Sequence, residues 1–316
     1  MTDQDKRYRA FSDFLKQTLG EKVYKISIHA GFTCPNRDGT LGTGGCIYCN
    51  NQGFSPNTRR ARMSVREQVD TGISYIEKRY KAKKYIAYFQ AYTNTYGPYE
   101  QLKAAYDEAL ERPDVVGLSV GTRPDCLEDD VLELLAGYAA GGRHVWIELG
   151  LQSMHDATLD RINRHHTVAD FTEAVRRIKA HPGLHICAHV ILGLPGETRE
   201  MMLQSASFLS DLGVHGVKIH LLHILRDTPL EQLYNQGKVP IFNRGEYVSL
   251  VCDYLELLDP RMVIQRLTAD GPSSILIAPQ WAMEKKKTVE MITQELRRRD
   301  SRQGARRQES SAPARP

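Results

Sequence analysis

Three of the six cysteines in this chain, Cys34, Cys46 and Cys49, fall within one short stretch, CPNRDGTLGTGGCIYC. Eleven residues separate the first two and two separate the second pair. A thiolate is a soft ligand that suits zinc or an iron–sulfur cluster, and a two-residue gap lets two sulfurs face one metal centre. Gly39, Gly42, Gly44 and Gly45 give the loop a backbone that can approach a bulky inorganic group. No fourth cysteine or histidine follows Cys49 within twenty residues. A closed structural zinc site takes four ligands, whereas a four-iron cluster held by three thiolates keeps one iron open to a small molecule.

A ligand loop has to be held by regular elements, and the sequence supplies a repeating pattern of them. Residues 22–29 alternate Tyr24, Ile26 and Ile28 with Lys25 and Ser27, which reads as a strand whose carboxyl end opens into the cysteine loop. Residues 8–19 carry a short amphipathic helix before it. Ser64 and Glu67 form a capping-box pattern at the start of a helix that reaches residue 81. Strand patterns recur at 84–90, 115–120, 145–149, 185–192 and 216–222. Helical patterns lie between them at 98–112, at 127–138, in the region up to 180, and at 199–212. Six such units predict a parallel sheet with helices outside it, curled by right-handed crossovers into a partial (β/α)6 TIM-like barrel, an α/β fold. Ligands in such folds bind at the carboxyl ends of the strands.

After Pro240 the rhythm breaks into a helix at 243–258, short strands at 262–267 and 275–277, and a helix at 287–298. The expected organisation is an N-terminal helical segment (1–21), a core (22–240), a small α+β C-terminal extension (241–299) and a disordered basic tail (300–316). Hydrophobic residues make up 41% and charged residues 25% of the chain, ordinary values for a globular protein. Net charge is +4, and the last 32 residues hold ten Lys or Arg against four Asp or Glu. No signal-like leader or apolar run of membrane-spanning length is present, so the cytoplasm is the expected compartment, with no membrane partner. There, clustered cysteines read as ligands, and the scattered Cys126, Cys187 and Cys252 read as ordinary small buried residues.

Other polar groups cluster where predicted strands end. Gln90, Tyr92, Asn94 and Tyr96 follow the second strand. Gln152 closes the fourth, and Arg164 comes twelve residues later. Gly193-Leu194-Pro195-Gly196-Glu197 ends the fifth, without the Gly-Lys-Ser/Thr of a phosphate loop. His185 and His189 share one strand face, while the three-residue offset of His220 and His223 switches faces. Lys218 shares the face of His220, and a buried cation there needs an anionic partner, with a substrate phosphate or a cofactor carboxylate as the candidate.

Taken together, Cys46-Ile47-Tyr48-Cys49 after a first strand, CPNRDG at the front of the long gap and GGCIYCNNQGF at its end resemble the radical S-adenosylmethionine (SAM) superfamily. The commonest spacing there is three residues then two. The eleven-residue gap is instead similar to the YhcC-like subfamily, placed near the elongator catalytic subunit, which acts on the wobble uridine of tRNA. The resemblance covers roughly residues 24–296. It implies a [4Fe-4S] cluster on Cys34, Cys46 and Cys49, SAM at the open iron, and reductive cleavage to a 5′-deoxyadenosyl radical. It further implies an electron donor such as flavodoxin or ferredoxin, and a tRNA nucleoside as substrate.

The implied SAM contacts are Tyr48, Gln90, Gln152, Arg164 and Gly193. Gln152 would face the ribose and Arg164 the carboxylate, roles that suit an amide and a two-pronged guanidinium. Gly193 would run along the adenine. Two positions depart from the family pattern. Gly121 stands where relatives often carry a carboxylate, and His189 where many carry an acidic residue. The competing readings are a small-molecule substrate, a zinc-containing barrel protein without radical chemistry, and a noncatalytic RNA-binding module.

Overall fold

The computed structural model describes residues 6–50, 63–269, 271 and 273–307. Its strands are β1 (Val23–Ile28), β2 (Lys84–Phe89), β3 (Val115–Thr122), β4 (His144–Gln152), β5 (Leu184–Leu192), β6 (Gly216–Leu221), β7 (Ile224–Leu225), β8 (Val263–Arg266) and β9 (Leu276–Ala278). The helices are α1 (Phe11–Leu19), α2 (Val65–Tyr80), α3 (Tyr99–Leu110), α4 (Asp129–Ala140), α5 (Asp156–Arg161), α6 (Val168–Lys179), α7 (Arg199–Leu212), α8 (Pro229–Asn235), α9 (Arg244–Leu257) and α10 (Lys285–Arg298). Seven strands form one parallel sheet in the order β1-β2-β3-β4-β5-β6-β8, curled into a partial barrel, while β7 and β9 pair as a separate antiparallel ribbon.

The alternation of side chains along each strand divides the sheet into two faces. Ile26, Ile28, Ala87, Phe89, Leu118, Val120, Ile147, Leu149, Ile186, Val190, Val217 and Ile219 belong to one core that includes the inner residues of α2, α3, α4, α6 and α7. The opposite face carries Lys25, Ser27, Tyr88, Ser119, Glu148, His189, Lys218 and His220, and so makes a polar lumen. Ser64 caps α2 through the predicted capping box with Glu67. At the amino-terminal end of the barrel, α1 closes the lumen with Phe11 and Phe14, whose rings meet Trp146 edge-on at 5.5 and 5.9 Å.

Three features differ from the sequence reading. First, β4 extends to Gln152 through a register shift between Gly150 and Gln152, where Gln152 takes a φ of +70° and pairs with Val190. Second, β8 does not stand apart in an extension but completes the main sheet beside β6. Third, the expected disorder from residue 300 onward is corrected for residues 300–307. The Gln303 side chain accepts from the Arg9 amide (2.9 Å) and donates to the carbonyls of Asp259 (2.7 Å) and Met262 (2.9 Å), while Arg307 pairs with Asp259. Residues 308–316 of the expected tail lie outside the described residues. No helix among the described residues is long and apolar enough to cross a membrane.

Candidate functional site

A cavity of about 590 Å³ lies at the carboxyl ends of the strands, lined there by Gln90, Thr122, Gln152, Leu221 and Arg266. Cys34, Cys46 and Cys49 all line it, and all three are free thiols. Their loop leaves β1 and is fastened to distant parts of the chain. The Ile47 amide donates to the Ile162 carbonyl (3.0 Å), and the Leu230 amide donates to that of Ile47 (3.0 Å). Asn163 donates to the Gly45 carbonyl (2.8 Å), and Asn36 donates in turn to the Asn163 carbonyl (2.7 Å) while its amide lies 3.6 Å from the Cys46 sulfur. The hydroxyls of Tyr96 and Thr40 are joined at 2.9 Å.

Gln152 and Arg164 meet at Gly150. A Cβ on Gly150 would sit 2.5 Å from Arg164 Nη2 and 2.6 Å from Gln152 Nε2, so glycine is what allows both side chains to lie over the strand. Arg164 is buried. It donates to the Gly150 carbonyl (3.1 Å) and to His166 Nε2 (2.8 Å), and its Nη1 lies 3.6 Å from Cys46 Sγ. Burial opposes its charge, but the neighbouring Cys46 and Tyr48 hold its pKa above the ordinary arginine value. Arg123, which ends β3's turn, donates to the carbonyls of Arg164 (2.9 Å) and His165 (3.0 Å) and is itself fixed by Asp125.

The residues around the thiols suit an anionic, thiolate-bound group. Burial pushes the Cys49 thiol up to about 12, away from the thiolate, and Cys46 adds to the effect, whereas the cations Arg37 and Arg164 oppose it and favour negative charge there. Burial and the Cys46 sulfur raise the Tyr48 phenol well above its ordinary value. Arg37 lines the same wall with a buried Nη1 that has no hydrogen-bond partner, beside the similarly orphaned Asn36 Oδ1. Among the described residues no three His, Cys, Asp or Glu side chains converge as ligands of a single ion do. A polynuclear cluster needs no such convergence, because each thiolate takes a different iron.

Deeper in the lumen, Glu148 pairs with Lys25 (2.5 Å), with Lys218 and with His189 (2.7 Å). Burial disfavours its charge, but Lys218, Lys25 and His189 together hold the carboxyl well below the usual range. The anionic partner of Lys218 is therefore this glutamate from β4, which corrects the expectation of a substrate or cofactor group there. Burial lowers His189 to about 4, so the ring is neutral at physiological pH.

The structure brings Tyr48, Gln90, Tyr92, Gln152, Arg164, His189, His220 and His223 to the cavity with the three cysteines. His223 lies beyond the end of β6, so the strand rule that separated it from His220 does not apply. Gly193 is not among the lining residues. Its φ of +94° makes a turn under the ring of Phe242, and Ile191, two residues earlier, reaches the cavity instead. Asn94 is also structural, donating to the carbonyls of Phe89 (3.1 Å) and Gly121 (2.8 Å). His185 packs on Trp146 at the closed end. Cys126, Cys187 and Cys252 are buried and line no part of the cavity. Residues not singled out in the sequence include Arg37, although it lies inside CPNRDG, Arg266, a solitary arginine without a motif, and Arg123, whose Arg-x-Asp pattern with Asp125 is the available signal.

A curled parallel half-barrel with three loop thiols beside a Gln–Arg pair defines the class of protein. The model of the radical SAM superfamily matches residues 34–209, and that of the Radical_SAM C-terminal domain matches residues 214–298. The chain belongs to the radical SAM superfamily, within its YhcC-like branch, and is an enzyme of that superfamily. It is 41% identical to the uncharacterized protein YtqA of Bacillus subtilis over 96% of this chain and 94% of that one. It is 38% identical to YhcC of Escherichia coli K12 over 86% of each. A partial likeness, 27% identity over 58% of this chain and 39% of the other, links it to a tRNA uridine(34) acetyltransferase of Dehalococcoides mccartyi. Among solved structures, archaeal Methanocaldococcus infernus Elp3 with an N-terminal deletion shares the fold, with a TM-score of 0.69 at 17% identity, covering 89% of this chain and 64% of that one.

Proposed function

We propose that the chain holds a [4Fe-4S] cluster on Cys34, Cys46 and Cys49 and binds SAM in the adjoining cavity. The observation that carries this reading is that the three thiols, Arg164 and Gln152 all line that cavity, with Arg164 Nη1 3.6 Å from Cys46 Sγ. When bound, the cluster supplies an electron for reductive cleavage of the SAM sulfonium bond to a 5′-deoxyadenosyl radical. The protein's share is binding, orientation and exclusion of water. Gln152 offers an amide to ribose hydroxyls, while Arg37 and Arg164 offer guanidinium groups to the SAM carboxylate and to the thiolates. Arg123 holds the backbone of Arg164 in place. The electron comes from a small redox protein such as flavodoxin or ferredoxin.

For the substrate, the reading is a tRNA nucleoside. The partial likeness to a tRNA uridine(34) acetyltransferase supports it, and so does the start of α10. Lys285, Lys286 and Lys287 occupy its first turn after Glu284 at the N-cap; Lys287 lies 3.7 Å from Glu284 and Lys286 3.8 Å from Glu290, and both lysine side chains stay largely exposed. Cations there oppose the helix dipole and Glu284 offsets part of that cost, while the exposed ammonium groups suit a surface that meets phosphates. Lys285 also lines the cavity.

Cluster binding is tested by anaerobic reconstitution of single cysteine variants. Alanine at Cys34, Cys46 or Cys49 abolishes the broad visible absorbance of a thiolate-bound iron cluster; alanine at Cys126, Cys187 or Cys252 leaves it. Cys126 is the stringent control, since it feels the charge of Cys34. A requirement for Cys126 equal to that for Cys34 contradicts the three-thiolate reading.

A further inference from the structure

β1 and β8 are the two edges of the main sheet. The cysteine loop leaves the first, while β8 and the neighbouring β6 bring Arg266, His220 and His223 to the cavity wall. Arg266 is half-buried, and no carboxylate among the described residues pairs with it. The nearest lumen anion, Glu148, is already shared by Lys25, Lys218 and His189. The Nε2 atoms of His220 and of His223 are buried without a hydrogen-bond partner, and His223 is only 6% exposed. The ring of His220 rests against that of His189 at 5.2 Å, which fixes its plane.

A polar atom shut away from water without a partner is costly, as is a cation in a weakly polar wall without an anion. Three such groups at one end of one cavity share a remedy. We infer that Arg266, His220 and His223 form an oxyanion-binding subsite that holds a phosphate or carboxylate group of the substrate. A guanidinium fork beside two imidazole N–H donors matches the oxygens of such a group. Burial, with Arg266 adding to it, lowers His223 to about 4, and the same causes lower His220 well below the ordinary histidine value. Both rings are therefore neutral, each donating from Nε2 in the tautomer that carries its single proton there, and Arg266 carries the charge. The inference deepens the SAM-enzyme reading, since it separates a substrate end of the cavity from the end with Gln152 and Arg164. A substrate phosphate and the carboxylate of SAM itself are the two sources of such an oxyanion.

The test titrates inorganic phosphate, acetate and SAM separately into full-length, cluster-loaded protein by calorimetry. Arg266→Gln and His223→Gln weaken phosphate or acetate binding ~10-fold or more, while SAM affinity stays within ~2-fold of the unsubstituted protein. Thermal denaturation checks folding, and if His223→Gln does not fold, Arg266→Gln decides. Oxyanion binding untouched by Arg266→Gln overturns the subsite, as does the lack of any such binding at millimolar concentrations. An equal loss of SAM affinity also overturns it, by giving Arg266 to the SAM carboxylate. Intact phosphate binding in a protein that binds no SAM upholds the subsite and sinks the SAM reading instead.

Discussion

The Nη1 atom of Arg164 lies 3.6 Å from the sulfur of Cys46, a residue 118 positions earlier in the chain. The same guanidinium holds the Gly150 carbonyl and His166. An arginine expected to serve SAM alone is therefore also a neighbour of one of the three thiols proposed to hold the cluster. Its substitution reaches both.

Arg164→Lys replaces a fork with a point charge that cannot satisfy all three neighbours. SAM affinity of cluster-loaded protein falls by ~1–3 kcal/mol, and bound iron per chain falls as well. Equilibrium dialysis and iron analysis measure the two. Unchanged values in both remove Arg164 from the site.

Gly150→Ala places a methyl group where Arg164 Nη2 and Gln152 Nε2 lie, at 2.5 and 2.6 Å. Both side chains must move, at a cost of about 1–3 kcal/mol in overpacking. SAM affinity drops while the far-UV circular dichroism of the barrel is retained. Wild-type affinity in a folded Gly150→Ala protein contradicts the packing of the pair over this strand.

Glu148→Gln leaves Lys218 and Lys25 without their buried anion and destabilises the fold by ~3–5 kcal/mol, read from denaturant unfolding. The pH dependence has a definite sign. The folded pKa of Glu148 is held below its usual 4.5, so its contribution is present above that value and is lost as pH falls toward the folded pKa. Wild-type stability thus declines more steeply below pH 4.5 than that of Glu148→Gln. Parallel acid limbs would count against the ion-paired carboxylate.

How far the sequence reveals this site depends on whether the information is local. The cysteine loop is legible because its ligands lie within sixteen residues and follow a readable strand. Gln152 and Arg164 are legible only through family resemblance, since what joins them is a close approach over Gly150. The pairing of Lys218 with Glu148 was hidden because it crosses from β6 to β4, and no pattern along either strand encodes it. β4 runs past its apolar stretch because a register shift between Gly150 and Gln152 keeps it paired with β5, and strand alternation does not announce a shift. The tail was misjudged because Gln303 and Arg307 dock through hydrogen bonds and an ion pair, which leave no apolar signature.

Trimming the chain tests the docking of its last described residues. Removal of residues 308–316 leaves thermal stability and any tRNA retention unchanged, since that segment holds one Arg and one Glu and has no net charge. Removal of residues 301–316 destabilises the protein by about 1–3 kcal/mol through the loss of Gln303 and Arg307. Lys286→Glu combined with Lys287→Glu lowers tRNA retention and flattens its salt dependence, because fewer counterions are released on binding. Filter retention at two salt concentrations measures this. Salt-insensitive or absent tRNA binding by the unsubstituted chain turns the substrate reading toward a small molecule.

The central claim, that these three thiols and this cavity together cleave SAM, is tested most directly by one assay. Anaerobically reconstituted protein is incubated with SAM and dithionite, and 5′-deoxyadenosine is quantified. The account predicts time-dependent 5′-deoxyadenosine from the unsubstituted protein and from Cys126→Ala, and none from Cys34→Ala, Cys46→Ala or Cys49→Ala. Absence of 5′-deoxyadenosine from brown, cluster-loaded protein, or its persistence in the Cys46→Ala variant, contradicts it.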